Sequence, residues 1–192
     1  MSDLLSGQLV HLTAENPEVM ASSFSRWNQD TGWVRFLDTD PSRLLSAKKW
    51  KEWLEKDLEK ESHEEIFFAI RTLESDLVIG FIGLFELFKQ HGDTLVAIAL
   101  GEREYWGKGY GTDAMKIILR YAFDELNLRR VGLIVFEYNP RAIRSYEKVG
   151  FVPEGIVREV MQRDGKRWDF QYMGILHEEW LASQVNSAGG DQ

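Results

Sequence analysis

The sequence predicts an α+β domain: a mixed, mostly antiparallel central sheet with helices on both faces. Three observations carry this. First, Ile66–Thr72, Val78–Phe88 and Thr94–Leu100 are strand-like runs separated by the turn segments Glu74–Asp76 and His91-Gly92-Asp93, the pattern of an antiparallel meander. Second, Tyr110–Leu126 is the clearest helix, with Ala114, Ile117, Ile118, Tyr121, Ala122 and Leu126 on one face. It separates Leu100 from the apolar run Val131–Phe136, and a helix of that length crosses over a sheet and leaves its flanking strands parallel. Third, Asp164-Gly165 stands between Val157–Arg163 and Arg167–Leu176, a strong hairpin signal because both residues tolerate the positive φ of a tight turn.

The other elements follow in chain order. Gln8–Leu12 alternates polar and apolar residues and reads as a first strand. Pro17–Trp27 reads as a short helix. Asn28–Pro41 mixes Asn, Asp, Gly and Pro with Trp33 and Phe36, so it reads as a loop carrying exposed aromatics. Leu44–Glu61 is strongly helical, with Trp50, Trp53, Leu54 and Leu58 forming a core-facing stripe. Gly80 and Gly83 inside a strand signal a bulge or a close backbone approach. Val131–Phe136 is nearly all apolar, as in a strand buried on both faces. Pro140–Val149 is a short helix with Pro140 in its first turn and Gly150 at its stop. One domain is expected over residues 1–182, followed by a frayed polar tail, Ser183–Gln192.

Composition narrows the function. The 192 residues suit one domain, and 44% hydrophobic with 28% charged is ordinary for a soluble protein. No apolar run reaches the ~18 residues of a membrane span, and the start lacks a secretory pattern. A cytoplasmic location with no membrane partner is the expectation. There is no cysteine, which excludes a disulfide framework, thiolate metal sites and a cysteine nucleophile. His11, His63, His91 and His177 are scattered without ligand spacing, so no metal is expected. The net charge of −8 is the reverse of a nucleic-acid binder's. It suits an amine substrate, though it also serves solubility alone.

The informative segment is Glu104-Tyr-Trp-Gly-Lys-Gly-Tyr-Gly-Thr-Asp113, after a strand and opening the best helix. Gly107, Gly109 and Gly111 alternate. Glycine permits positive φ and removes the Cβ, so backbone N–H groups can approach an anion. The helix behind adds unpaired N–H groups and the positive end of its dipole. A diphosphate meets both. The spacing is neither the G-x-G-x-x-G dinucleotide fingerprint nor a Walker P-loop. Alone, the motif is equally compatible with a flexible turn that holds no ligand.

A second segment, Asn139-Pro-Arg-Ala-Ile-Arg-Ser-Tyr-Glu-Lys-Val-Gly-Phe151, lies one strand later. Together the two resemble the GNAT superfamily of N-acetyltransferases, in particular the branch with the ribosomal-protein N-terminal and spermidine acetyltransferases. The resemblance runs from about Gln8 to Trp180. It implies two parallel central strands, ending near Leu100 and starting near Val131, that splay into a cleft for acetyl-coenzyme A (acetyl-CoA), the co-substrate. By the same resemblance the pantetheine arm pairs near Leu100, Gly101 and Glu102. The pyrophosphate falls on Trp106, Gly107, Lys108, Gly109, Tyr110, Gly111 and Thr112. Asn139 bonds the coenzyme, and Tyr146 sits near the thioester sulfur. Two positions depart from the family pattern. Trp106 stands where Gln or Arg is common, and Leu95 stands where a Glu often lies, so a base at that place does not carry over.

Amine acetylation needs both reactants oriented, the oxyanion stabilised, a proton taken from the amine and one returned to sulfur. Tyr146 is the candidate acid, since a phenol with a reference pKa near ~10 is protonated at neutral pH; its alternative is a packing tyrosine. Glu86 is the candidate base, with Glu102 or a water chain as alternatives and an ordinary solvated strand residue as the plain reading. Arg141, Arg144 and Lys148 share one helix face, where one pairs with the ribose phosphate or all three form a solvated basic face. Trp33, Phe36, Trp168 and Phe170 are candidates to wall the acceptor pocket. The expected partner is a small-molecule or peptide amine, and a homodimer through the hairpin is one way to bury its apolar surface. A catalytically silent coenzyme-binding module and a nucleotide-binding protein are the rival readings.

Overall fold

Seven strands, β1 (Val10–Thr13), β2 (Ile66–Thr72), β3 (Val78–Phe88), β4 (Asp93–Leu100), β5 (Arg130–Phe136), β6 (Val152–Arg163) and β7 (Lys166–Leu176), form one sheet in the order β1-β2-β3-β4-β5-β7-β6. Six helices surround it: α1 (Pro17–Trp27), α2 (Thr31–Leu37), α3 (Ala47–Leu58), α4 (Tyr110–Arg120, continued by a wider turn over Tyr121–Glu125), α5 (Pro140–Val149) and α6 (His177–Ala188). The computed structural model describes residues 3–58, 65–88 and 90–188. Among them no helix is long and apolar enough to cross a membrane.

The sheet is mixed as expected: β4 and β5 are parallel, and every other neighbouring pair is antiparallel. Its two faces bury separate cores. One holds Ile82, Leu84, Ile117, Ile118, Phe123, Leu133, Met173 and Trp180 beneath α4 and α6. The other holds Met20, Phe24, Trp27, Trp33, Leu54 and Phe81 beneath α1, α2 and α3. Fully burying side chains of this size stabilises by about 1.5–3 kcal/mol each before chain entropy is subtracted.

Gly80 and Gly83 do what strand glycines signal. The register shifts by one residue between Ile70↔Gly80 and Arg71↔Val78, which leaves Ile79 as a bulge. A Cβ on Gly80 would lie 2.2 Å from the Ala99 carbonyl oxygen, so the backbones approach too closely for any side chain.

Several elements differ from expectation. Asn28–Pro41 is not a loop: it contains α2, whose first turn Asp30 caps by accepting from the Trp33 amide at 3.1 Å. Trp33 is buried rather than exposed, at 4% relative exposure, while Phe36 stays at the surface. β6 begins at Val152, ahead of the expected Val157, because shifts at Pro153/Gly155 and Val157/Met161 break the two-residue alternation that marks a strand. α6 was not foreseen, and the expected tail begins inside it; residues 189–192 lie outside the described residues. α3 begins at Ala47 rather than Leu44, and its expected last turn, 59–61, also lies outside them.

Candidate active site

β4 and β5 pair only at their starts, Asp93↔Arg130, Thr94↔Val131 and Leu95↔Gly132, and diverge from there. The backbone polarity of both walls follows from strand alternation. The Gly101 amide donates to Ile79 on β3 at 2.8 Å, so Val96, Ile98 and Leu100 turn their N–H and C=O groups toward β5. On β5, the amide of Glu137 donates to Asp169 at 3.1 Å and the carbonyl of Arg129 accepts from His177 at 2.9 Å. By the same alternation Ile134 and Phe136 turn theirs toward β4. A cavity of about 390 Å³ occupies the gap, lined by Val96–Leu100 on one wall and Ile134, Val135 and Phe136 on the other.

The start of α4 also lines this cavity. Gly107 and Gly109 adopt φ of 73° and 93°, the left-handed region that glycine enters without strain, and a Cβ on Gly107 would meet nothing within 4 Å. Gly109 is the N-cap and supplies no side chain, so the amides of Tyr110, Gly111 and Thr112 begin the helix without an acceptor of their own. Asp113, the one acid of that turn, faces away. Its Oδ2 accepts the amides of Gln8, Leu9 and Val10 at 2.9, 2.7 and 3.1 Å. Free amides, a helix dipole and a bare glycine surface are what a diphosphate requires. Trp106, expected to open this cradle, does not contribute its amide, which donates to the Arg103 carbonyl at 3.0 Å.

α5 forms the facing side. Asn139 is its N-cap, buried, with Oδ1 accepting from the Ala142 amide at 3.3 Å. Its side-chain NH2 donates to no described protein group and borders the cavity. Thr112 and Ser145 join the two helices through their hydroxyls at 3.0 Å. Tyr146 lines the cavity with its ring against Phe151, centroids 6.0 Å apart. Burial pushes its phenol up to about 12, partly opposed by the positive charge of Arg141.

The lining beside Leu100 is aromatic. The indole N–H groups of Trp33 and Trp106 both donate to the Leu100 carbonyl, at 2.9 and 2.8 Å. Arg141 lies over the Trp106 ring at 3.6 Å and within 5.8 Å of the Phe36 ring. Arg103 lies over Trp106 from 4.7 Å and is ion-paired to Asp30. That hydrogen bond raises the Arg103 pKa and lowers that of Asp30. α2 is tied down at its far end too: Tyr138 Oη donates to the Arg35 carbonyl at 2.6 Å, Arg163 donates to the same oxygen at 2.6 Å, and Arg35 pairs with Asp164.

The structure therefore brings together Leu100, Trp106, Gly107, Gly109, Gly111, Thr112, Asn139, Tyr146, Trp33 and Phe36 around one cavity. Others stand outside it. Gly101 is turned to β3 and packed on Trp27, and the Glu102 carboxylate is held by the Trp27 indole at 2.8 Å and by Arg26. Lys108 is exposed, and Tyr110 packs its ring on Tyr105 at 4.9 Å. Trp168 is one ring removed, 5.1 Å from Tyr138, and Phe170 lies behind Phe136 at 5.3 Å. Glu86 is exposed at a bulge with φ 51°, level with the paired ends of β4 and β5 rather than with the open gap. Sequence reasoning missed the inward backbone of Ile98 and Ile134, and Tyr138 as an anchor of α2. An aromatic one residue before the Asn139 cap was the available signal for Tyr138.

A parallel pair that opens beside a glycine-capped helix leaves an elongated cleft with backbone polar groups on both walls and free amides at a helix start, a site suited to a long, phosphate-bearing ligand. Residues 9–152 match the family described as an acetyltransferase (GNAT) domain. The chain is 32% identical over 136 residues to an uncharacterized N-acetyltransferase of Bacillus subtilis, YokL, covering 70% of this chain and 73% of that one. It is 34% identical over 131 residues to the probable N-acetyltransferase YjcK of the same organism, covering 68% and 69%. The solved spermidine N-acetyltransferase of Vibrio cholerae, in complex with CoA and spermine, superimposes with a TM-score of 0.78 at 25% identity, covering 90% of this chain and 98% of that one. The chain belongs to the GNAT family and is an acetyl-CoA-dependent N-acetyltransferase.

Proposed function

We propose that the chain moves the acetyl group of acetyl-CoA directly onto a primary amine within a ternary complex, the acceptor being a peptide α-amine or a small amine metabolite. The observation that carries this reading is a single cavity whose lining includes Gly109, Gly111 and Thr112, Tyr146, and Trp33 and Phe36. Both reactants then meet in line without a covalent enzyme intermediate, and no cysteine exists to form one.

The coenzyme supplies an activated acyl carbon as a thioester. The chain supplies the rest. Amides 110–112 hold the diphosphate, and the Asn139 NH2 adds a donor from α5. Ile98 offers its free N–H and C=O to the pantetheine amides. The Leu100 carbonyl is already taken by two indoles, so the pairing register sits on Ile98 rather than further along. An N–H of the splayed walls, aimed into the gap, stabilises the oxygen that gains charge. Tyr146, protonated across the physiological range, donates to the sulfur as it leaves. Among the described residues no Asp or Glu lines the cavity, so the amine reacts in its neutral form and its proton leaves through water.

Thiol release measured against a panel of primary amines tests the reading. Intersecting initial-rate lines for the two substrates are expected. Parallel lines, or no turnover with any amine, would overturn it.

A further inference from the structure

The cavity is charged in one sense only. Arg141, Arg144 and Lys148 border it, and among the described residues no carboxylate does. Arg144 and Lys148 are exposed on the later part of α5, but Arg141 is half-buried. α5 packs on the α4 side of the sheet, yet the Arg141 guanidinium reaches through the gap to Trp106 and Phe36, which belong to the α2 side. There it forms no ion pair or hydrogen bond with any described residue. The other cation at Trp106, Arg103, is neutralised by Asp30. Burial lowers the Arg141 pKa, and the charge of Arg103 lowers it further. A desolvated guanidinium stacked on an indole, with its edge free, is set for bidentate contact with a carboxylate.

We infer that the acceptor amine itself carries a carboxylate, bound by Arg141 beside Trp106 and Phe36. This rests on the acetyl-transfer reading and narrows it to α-amino acids or peptides with an acidic group near the amine. A polyamine is disfavoured, because its ammonium groups would meet the Arg141 guanidinium where, among the described residues, no carboxylate lines the cavity. Trp106 is the positioning residue: its indole is fixed at one edge by the Leu100 carbonyl and offers its face to Arg141. In the acetyl-transfer reading amides 110–112 hold the diphosphate, which leaves Arg141 for the second substrate.

The test is calorimetric binding to the full-length protein saturated with CoA, using a panel of α-amino acids, each paired with its own carboxamide, together with spermidine. At least one carboxylate ligand is expected to bind roughly 10- to 100-fold tighter than its amide, the range for a charge-assisted pair. Arg141→Gln is expected to erase that preference and shift CoA affinity by less than about twofold; Arg141→Lys, which keeps the charge and loses the fork, is expected to retain part of it. Melting curves confirm that both variants are folded. The inference falls if no carboxylate outbinds its amide, if spermidine binds tightest, or if Arg141→Gln weakens CoA tenfold and leaves acceptor preference intact. Absence of acetylation across the same panel would instead overturn the transfer reading, while the binding preference still decides this one.

Discussion

Trp33 and Trp106 converge on a single acceptor: their indole N–H groups reach the Leu100 carbonyl from 2.9 and 2.8 Å, joining α2 and the turn after β4 at the last residue of the open strand. Each bond is worth about 1 kcal/mol net, but stripping both leaves a carbonyl beside apolar rings with no donor. Trp33→Phe and Trp106→Phe are therefore expected to cost roughly 1–2 kcal/mol each, and the double variant more than their sum. Urea melts in a double-mutant cycle measure this; strict additivity would show that the shared acceptor is irrelevant.

Tyr146→Phe is expected to lower kcat by roughly 10²-fold or more, with CoA affinity nearly unchanged. Because burial holds this phenol at about 12, above its ordinary value near 10, Tyr146 should cause no falling limb in the rate profile below about pH 10. The sign for stability follows. The unfolded chain ionises this phenol first, so its share of stability is intact below pH 10 and is lost as pH rises from about 10 to about 12. Comparing the alkaline melting of Tyr146→Phe with the parent checks it.

Gly109→Ala tests the cradle. At φ 93° an alanine is strained by about 1–3 kcal/mol, and the amides beyond it shift to relieve that strain. CoA affinity is expected to fall by at least tenfold. Isothermal titration with CoA alone reads this without any acceptor, and an unchanged Kd would place the diphosphate elsewhere.

Gly101→Ala tests close packing. A Cβ there would lie 2.0 Å from the Trp27 indole, so the variant should lose at least about 2 kcal/mol, or about 4 °C or more in Tm. Gly155→Ala, whose Cβ would meet nothing within 4 Å, is expected to melt within about 2 °C of the parent.

How much was legible can be seen residue by residue. The meander, the crossover helix and both motif segments were readable because their signals are local: alternation in Thr94–Leu100, helical spacing in Ala114–Ala122, glycines where φ is positive. α2 was not, because seven residues are too few to hold a helix alone and the flanking Asn, Asp and Pro read as a loop; it is held by distant partners, Arg103 at Asp30 and Tyr138 with Arg163 at Arg35. The start of β6 was hidden by its two register shifts. In the site, the motifs pointed to Gly107, Gly109, Gly111 and Tyr146, all of which line the cavity. Glu86 could not be placed, since the bulge at Phe85/Phe88 that turns it outward leaves no mark in composition. The contact of Arg141 with Trp106 and Phe36 depends on a side chain reaching from α5 to the α2 side, which helical spacing alone assigns to a solvated stripe.

The hold of Asp113 on the amides of Gln8, Leu9 and Val10 reaches beyond local packing. That carboxylate sits in the first turn of α4, the helix to which the proposed function assigns the donor's phosphates. Deleting the segment through Val10 would strip that carboxylate of its three donors and leave its charge uncompensated in the helix's first turn. Amino-terminal trimming or bulky fusions there should thus weaken acetyl-CoA capture from a distance of about a hundred residues in sequence, and Asp113→Asn in the trimmed chain should restore it.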